Sequence, residues 1–417
     1  MGEVIRTYAP GDEERVADLL RECFGTYRNY GLDGSKWLEY MRLNAGFRLE
    51  GAYLLEVGGR LVSHVQVVEK RLRTAAGTLA VAGIANVATH PDFRGRGYAT
   101  RLLARAMEDY RARGFPLTAL FTGFASGPQR IYRRLGYVDV CVHIYWSAPI
   151  DDALQRAQRV PWVEVREAEE RDVDGVSRLY EAVGDRYTGW PVRARGEWVE
   201  KLVRRTAYHG FFYVGREPGN FVVAEEGGEP LGYAVLLRIP WEPEAVGIAE
   251  IVAEPGRGDA MLALYSYAVS RAAALGARVV RTYAPLTAEY RRAFRAFQPS
   301  SGGVFMSEVL DLRGLLAEAA RGVRWAGEPL AVEFAYRGQR ATLRLSGEGC
   351  SLADGEPHAT VDLDPTTFNR LLFGHAEPVE LLLNSTVRSG VRLGRVLEAL
   401  EALFRPRPFH VWPVDQW

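Results

Sequence analysis

The sequence has 417 residues, and at roughly 150 residues per domain this length predicts about three domains. Hydrophobic residues make up 47% of the chain and charged residues 25%, which is the composition of a packed globular protein and excludes a disordered or coiled-coil chain. The 52 basic and 52 acidic side chains cancel, so the chain has no overall positive charge to attract nucleic acids or anionic membranes. We therefore expect neither a nucleic acid nor a membrane among its partners.

The cysteines and the N-terminal residues indicate a cytoplasmic protein. Cys23, Cys141 and Cys350 lie too far apart in sequence for a Cys-x-x-Cys metal site, and their odd number argues against a disulfide framework. Residues 1–15 are charged and lack the apolar core of a signal peptide, and no apolar run is long enough to span a bilayer. These features predict a cytoplasmic location and no metal centre.

Two stretches of the chain, about 160 residues apart, follow the same pattern. Each predicts a strand, an amphipathic helix, a hairpin closed by a Gly-Gly pair, and a further strand that leads through a turn into a long helix. The first copy has these features at Val4–Arg6, Asp12–Leu20, Leu54–Val68 and Ile84–Ala88, and the second has them at Val163–Arg166, Asp172–Tyr180, Phe221–Leu237 and Ile248–Ala253. We infer a duplicated domain, at residues 1–150 and 151–303.

Residues 304–417 predict a third, smaller α+β domain. Leu330–Tyr336 and Ala341–Leu345 alternate as strands, and 362–373 and 391–404 predict helices, the first with an Asp364-Pro365 start. Residues 405–417 then form a non-helical tail that contains three prolines and ends at Trp417. Because this tail is rich in aromatic residues, we expect it to dock on the folded protein.

The clearest chemical motif follows the strand at Asn86–Thr89. A turn at His90–Phe93 leads into Arg94-Gly95-Arg96-Gly97-Tyr98-Ala99, which opens a helix that we expect to run over 97–113. Glycines at a helix N-terminus let a phosphate approach unpaired backbone N–H groups, and the helix dipole favours the negative charge. A plain surface turn is the alternative, since short glycine patterns are common.

The residues that follow favour the functional interpretation. A predicted strand at Leu117–Thr122 leads to Ser126-Gly127-Pro128 and then to Ile131-Tyr132-Arg133-Arg134-Leu135-Gly136-Tyr137. With both motifs at this separation, residues 1–146 resemble the GNAT acetyltransferase superfamily. The resemblance implies that acetyl-CoA binds here and that Tyr132 protonates the departing thiolate. It assigns the cofactor contacts to Val87, Ala88, Thr89, Arg94, Gly95, Arg96, Gly97, Tyr98, Ala99, Thr100, Ser126 and Gly127.

The whole chain resembles the Eis family of N-acetyltransferases. That resemblance implies an α/β (α+β) fold class, with two tandem GNAT folds followed by a sterol-carrier-protein-2-like α+β domain, and a homo-oligomer, a hexamer in that family. It also implies that the α-carboxylate of Trp417 is the general base. Burial would have to raise the pKa of this carboxylate from roughly 3.5 before it could accept a proton from an ammonium group. A tail that packs only on its own domain is the alternative.

The second copy lacks the glycine motif. It has Glu254-Pro255-Gly256-Arg257-Gly258-Asp259-Ala260 in place of the first turn, and two carboxylates there would repel a pyrophosphate. Its counterpart of the tyrosine helix contains Tyr290 but no Gly-aromatic pair. We interpret the second copy as structural and non-catalytic.

The predicted reaction is direct transfer of an acetyl group from acetyl-CoA to the primary amine of a small molecule, a polyamine or an aminoglycoside. The phenol of Tyr132 has a higher pKa than a thiol. Arg130, Arg133 or Arg134 could narrow this difference by favouring the phenolate, and the alternative is that these arginines form a solvated face. Phe24 and Trp37 are candidate substrate contacts in an aromatic cluster with Tyr27 and Tyr30. Acidic residues near them are few, with only Asp33 and Asp415 as candidates, which argues against broad aminoglycoside specificity. The alternatives are acetylation of protein lysines, or a lipid- or ligand-binding scaffold with relic GNAT domains.

Overall fold

The computed structural model describes residues 2–200, 205–208, 212–215, 218–239 and 242–417. Helices pack against a sheet of twelve strands, and a separate five-stranded sheet forms the C-terminal domain. The first copy comprises β1 (Glu3–Thr7), α1 (Glu13–Cys23), α2 (Gly25–Tyr30), α3 (Gly34–Leu43), β2 (Phe47–Val57), β3 (Arg60–Thr74), β4 (Gly77–Thr89), α4 (Tyr98–Ala112), β5 (Leu117–Thr122), α5 (Gly127–Arg134) and β6 (Val138–Pro149).

The second copy repeats this order. It comprises α6 (Ile150–Leu154), β7 (Glu164–Glu167), α7 (Val173–Gly184), α8 (Arg195–Val199), β8 (Arg205–Tyr208), β9 (Phe212–Gly215), β10 (Phe221–Glu226), β11 (Glu229–Arg238), β12 (Ala245–Ala253), α9 (Gly258–Ala274), β13 (Val279–Thr282), α10 (Ala288–Ala293) and β14 (Gln298–Val309). The C-terminal part comprises α11 (Leu312–Ala320), β15 (Leu330–Tyr336), β16 (Gln339–Ser346), β17 (Gly349–Ala353), β18 (Ala359–Asp362), α12 (Pro365–Leu372), α13 (Pro378–Asn384), β19 (Thr386–Ser389) and α14 (Leu393–Leu403).

An ion-pair triad occurs in both copies. In the first copy, Arg6 binds the carboxylates of Asp12 and Glu56, with N···O distances of 2.5 Å in each pair. In the second copy, Arg166 binds Asp172 at 2.8 Å and Glu225 at 2.7 Å. In each copy the triad joins the first strand, the start of the first long helix and the hairpin that follows. The same three-way contact at equivalent places supports the inferred duplication.

The two copies share one sheet because they exchange their last strands. The order of the large sheet is β1-β2-β3-β4-β5-β14-β6-β13-β12-β11-β10-β7. Thus β14, from the second copy, pairs with β5 of the first, while β6, from the first copy, pairs with β13 of the second. Strand β14 also crosses the boundary that the sequence predicts at 303/304. The exchange makes the two copies a single packed unit.

Two irregularities of β4 open the sheet in the first copy. Strand β4 pairs in parallel with β5 only from Val81 to Ile84, although β4 continues to Thr89. On its other side the register with β3 shifts, so that Asn86 and Val87 bulge outward, and Asn86 has φ +51°. Asparagine tolerates this left-handed conformation better than most residues. The end of β4 therefore diverges from β5 and leaves a gap between the two strands.

The C-terminal sheet has the order β17-β16-β15-β18-β19, with helices packed against it. Strand β15 has the predicted bounds, and Asp364 caps α12 by accepting a hydrogen bond from the backbone N–H of Thr367, at 2.7 Å. None of the helices in the described ranges is long and apolar enough to cross a membrane.

Candidate active site

A cleft of about 820 Å³ lies at the N-terminus of α4; we name it the α4 cleft. Gly95 and Gly97 adopt positive φ angles of 78° and 77°, and a Cβ atom on either glycine would meet nothing within 4 Å. Gly97 is the N-cap residue of α4, and no side chain caps this helix. The backbone N–H groups of its first turn therefore face the open cleft, as anion binding at a helix N-terminus requires.

Most of the predicted cofactor contacts line the α4 cleft. They are Val87, Ala88, Thr89, Arg94, Gly95, Gly97, Tyr98, Ala99, Thr100 and Gly127. Arg96 is not among the lining residues; its guanidinium lies over the ring of Phe93, 5.1 Å from the centroid. Ser126 lines a neighbouring cavity instead, where its Oγ accepts a hydrogen bond from the N–H of Gln129 and caps α5.

All the charged side chains that line the α4 cleft in the described part of the chain are positive. Arg94, Arg130 and Arg134 contribute guanidinium groups, and no carboxylate side chain lines the cleft in the described part of the chain. The sequence placed Arg130 and Arg134 near Tyr132 but did not assign them to the cofactor. Their spacing of four residues on α5 puts both arginines on one face of that helix, and this spacing in the sequence could have indicated that they act together. Three guanidinium groups and an uncapped helix N-terminus fit a polyphosphate ligand.

A second cavity, of about 520 Å³, adjoins this cleft; we name it the terminal cavity because Gln416 and Trp417 line it. The two spaces share Phe24, Val87, Pro128 and Tyr132 in their walls. Thus Tyr132 lies where they meet, and the tail of the chain closes the far side.

Tyr132 sits on α5 with its side chain largely buried. Its ring packs edge-on against Tyr137, and its hydroxyl makes no hydrogen bond within the described part of the chain. Burial alone raises the pKa of Tyr132 well above that of a free phenol, and no arginine lowers it. Arg133 instead binds Asp139. The described residues thus show no arginine bonded to the hydroxyl of Tyr132, which is a neutral phenol with a free O–H.

The indole of Trp417 packs in the gap between β4 and β5. Its Nε1–H donates a hydrogen bond to the carbonyl oxygen of Ala119, at 3.2 Å, and its ring contacts Phe121, with centroids 5.5 Å apart. A Cβ atom on Gly83 would lie 2.6 Å from two atoms of the indole, so only glycine leaves room for the ring at this position of β4.

The tail reaches this gap by crossing the second copy. Trp412 is fully buried against Trp190, with ring centroids 5.8 Å apart, and Tyr290, with ring centroids 6.3 Å apart. The carboxylate of Asp415 binds the guanidinium of Arg193, which also forms a bidentate pair with Glu250 at 2.9 and 2.6 Å. The side chains of all three charged residues are 1% exposed. We name these three residues the tail anchor.

The two predicted substrate residues, Phe24 and Trp37, lie in different environments in the structure. Phe24 lines both the α4 cleft and the terminal cavity, and Tyr27 lines the terminal cavity. Trp37 is 1% exposed and packs its ring on Tyr8 at 5.6 Å, so it belongs to the core and lines neither space. The periodicity of α3 makes this face apolar, and core packing is the ordinary role of such a residue.

The two acidic residues considered as alternative bases are both engaged elsewhere. Asp33 caps α3 by accepting a hydrogen bond from the N–H of Lys36, at 2.8 Å, and Asp415 belongs to the tail anchor. The side chain of neither residue lines the terminal cavity.

The equivalent turn of the second copy is closed to an anion by its own side chains. The carboxylate of Asp259 accepts hydrogen bonds from the N–H of Ala260 at 3.0 Å and from the indole of Trp162 at 2.9 Å, and it pairs with Arg257 at 3.0 Å. These contacts hold the pKa of Asp259 well below its usual range, with the hydrogen bond from Arg257 the largest cause. The hydroxyl of Tyr290, the counterpart of Tyr132, donates to the carbonyl oxygen of Ile251 at 3.0 Å.

Comparison with known proteins identifies the first copy. Residues 4–139 match the family model for the acetyltransferase (GNAT) domain. An uncharacterized N-acetyltransferase of Methanocaldococcus jannaschii is 28% identical over 142 residues, a match that covers 32% of this chain and 59% of that protein. The N-terminal part of the chain is therefore a GNAT acetyltransferase domain, as predicted.

Solved structures share the fold over the whole chain. GCN5-related N-acetyltransferases of Kribbella flavida and Anabaena variabilis superpose with TM-scores of 0.69 and 0.70 at 20% and 14% identity, covering 100% of this chain and 98% and 100% of theirs. Eis1 of Mycobacterium abscessus superposes with a TM-score of 0.61 at 17% identity, covering 99% of both chains. The mixed α/β fold class and its likeness to Eis are confirmed. The sterol-carrier-like type of the C-terminal domain stays a prediction.

Proposed function

Because residues 4–139 form a GNAT acetyltransferase domain, we propose that the chain is an acetyl-CoA-dependent N-acetyltransferase that acts on the primary amine of a small molecule. The observation that carries this proposal is the meeting of two unlike spaces at Tyr132. The α4 cleft is cationic and fits the phosphates of a nucleotide cofactor, whereas the terminal cavity holds no charged side chain among its described lining residues. A donor and an acceptor would thus enter from opposite sides.

GNAT acetyltransferases use acetyl-CoA, which supplies the acetyl thioester. We assign its phosphates to the backbone N–H groups at the start of α4 and to Arg94, Arg130 and Arg134. The free end of β4, Val87–Thr89, offers backbone groups to the rest of the cofactor along the gap that β5 leaves. Tyr132 would donate its proton to the departing thiolate, since its hydroxyl makes no hydrogen bond within the described part of the chain and the residue lines both spaces.

We assign the general base to the α-carboxylate of Trp417. The support is the position of Trp417 and Gln416 in the wall of the terminal cavity, together with the engagement of Asp33 and Asp415 elsewhere. A carboxylate in an apolar cavity has its pKa raised by desolvation, which makes it a stronger base for an ammonium substrate.

Two measurements test the proposal. Acetyl-CoA turnover, followed as release of the free thiol, should depend on an added primary amine; the panel should include a polyamine, an aminoglycoside, a lysine peptide and an apolar monoamine. Calorimetry should give one acetyl-CoA site per chain, because Asp259 blocks the second turn. Substitution of Gly97 by valine should abolish this binding, since the side chain would occupy the approach of the phosphate. Absence of both binding and turnover would refute the proposed function.

A separate measurement tests the base. Two glycines added after Trp417 leave the indole in place but move the terminal charge, so kcat should fall by about 10²-fold. The melting temperature should hardly change. Full activity of the extended protein would refute the assignment of the base.

A further inference from the structure

The walls of the terminal cavity limit the kind of acceptor that it can hold. Every described residue that lines it has an uncharged side chain, and five of them are the aromatic residues Phe24, Tyr27, Phe121, Tyr132 and Trp417. An acceptor with several ammonium groups needs several anions, because an unpaired charge in an apolar site is costly. The α-carboxylate of Trp417 would supply one negative charge.

The polar groups in the wall are largely used by the protein itself. The side-chain oxygen of Asn86 accepts a hydrogen bond from Tyr27 at 2.6 Å, and Ser126 caps α5. The amide of Gln416 lies 2.7 Å from Nε2 of His143 and donates to it. These groups therefore have less capacity to bind the many hydroxyl and amino groups of an aminocyclitol or a sugar.

One titratable side chain, that of His143, packs behind the aromatic wall of the terminal cavity. His143 packs behind Phe121, with ring centroids 5.3 Å apart, and burial lowers the pKa of His143 to about 4. The imidazole is therefore neutral near pH 7. The same desolvation acts on a bound ammonium group and lowers its pKa, which favours the neutral amine that must attack the thioester.

From these observations we propose that the acceptor is a primary monoamine with an apolar, aromatic body, such as an arylalkylamine, and that polyamines and aminoglycosides are poor acceptors. The cavity volume of about 520 Å³ is within the range of small-molecule sites. The inference rests on the proposed function for its chemistry, but the selectivity of the cavity can be measured without turnover.

The first experiment compares 2-phenylethylamine with spermidine. Binding of each amine to the protein saturated with coenzyme A is measured by calorimetry, and kcat/KM is measured with acetyl-CoA. We expect phenylethylamine to be favoured by about tenfold or more in both measurements, because spermidine carries unpaired charges. Tighter binding of phenylethylamine, with no turnover of any amine in the panel, would support the acceptor class and refute the acetyltransferase proposal. Faster turnover of spermidine would refute the acceptor class and leave the enzyme proposal intact.

The second experiment changes the charge of the wall. Thr26 lies on α2, is exposed, and lines the terminal cavity, so a new carboxylate there has solvent on one side and the acceptor on the other. The selectivity is the kcat/KM for 1,4-diaminobutane divided by the kcat/KM for phenylethylamine. This selectivity should be about fivefold higher in Thr26→Asp than in Thr26→Asn, because one partly exposed ion pair contributes an effect of about that size. Asparagine matches the shape without the charge. An equal ratio in the two variants would show that wall charge does not set acceptor choice.

Discussion

The contact between Gly83 and Trp417 allows the position of the tail to be tested with one methyl group. Gly83 lies in the middle of β4 and pairs with Ala119 of β5. A Cβ atom at this position would lie 2.6 Å from Cε2 and Nε1 of Trp417 and 2.9 Å from Cδ1. Since carbon atoms normally keep about 3.5–4 Å apart, Gly83→Ala has to push the indole away by about 1 Å.

The expected effect on catalysis follows from that distance. Displacement of the indole weakens its hydrogen bond to Ala119 and shifts the backbone of Trp417, which carries the proposed base. A misplacement of about 1 Å at a reacting group costs about 10²-fold in rate. We therefore expect kcat with an accepted amine to fall by about 10²-fold, with little change in the dissociation constant of acetyl-CoA, because Gly83 does not line the α4 cleft.

The stability of the variant separates displacement from misfolding. Overpacking of this kind costs roughly 1–3 kcal/mol, which a thermal melt of the purified protein would show as a modest shift. Gly258→Ala is the matched control: it makes the same chemical change at the start of α9, where a Cβ atom would meet nothing within 4 Å. If Gly83→Ala keeps kcat within about threefold of the parent, the exact position of Trp417 does not matter for the reaction, and its carboxylate is not the base.

Three further predictions concern other parts of the molecule. Tyr132→Phe should lower kcat by about 10²-fold at unchanged acetyl-CoA affinity, whereas Tyr290→Phe, which removes the equivalent hydroxyl of the second copy, should leave turnover unaltered. Asp415→Asn should loosen the tail, because breaking a buried ion pair costs about 3 kcal/mol, so that kcat falls about tenfold or more and limited proteolysis with chymotrypsin cleaves after Phe409; a tail that stays uncleaved would contradict this. Burial raises the pKa of Glu308 to about 7, so the folded protein holds this proton more tightly than the unfolded chain does. Between about pH 4.5 and 7 this group therefore makes the protein less stable as pH rises, and urea unfolding should show Glu308→Gln stabilised relative to the parent more at about pH 8 than at about pH 5.

The features that the sequence predicted correctly depend on neighbouring residues. The helix expected over 97–113 is α4, Tyr98–Ala112, and the Gly-rich turn before it has the positive φ angles that glycine permits. The start of α12 at Asp364-Pro365 is likewise a local capping signal. The strand, helix, hairpin, strand and long helix predicted for each copy also occur in that order, as β1, α1, β2–β3, β4 and α4 in the first copy and as β7, α7, β10–β11, β12 and α9 in the second.

The features that the sequence did not predict depend on distant pairings. Nothing in the local pattern of β6 or β14 shows that each pairs within the other copy, since both partners offer the same alternation of side chains. The aromatic residues near α1 were indistinguishable by type, yet Phe24 faces the cavity and Trp37 faces the core. Asp415 resembled a base beside the chain end until its contact with Arg193, 222 residues away in sequence, could be seen.

The tail anchor gives the second copy a structural role, which is to hold the tail. Glu250 lies on β12 at the place that Asn86 occupies on β4, and both strands are bulged there. Arg193 lies between Glu250 and Asp415, and its guanidinium stacks on Tyr180, 4.1 Å from the ring centroid. Without Arg193, the carboxylates of Glu250 and Asp415 would be buried together with no positive charge between them, which is costly. The second copy thus binds the tail where the first has its terminal cavity, and this contact fixes the path by which Trp417 reaches the gap beside β4.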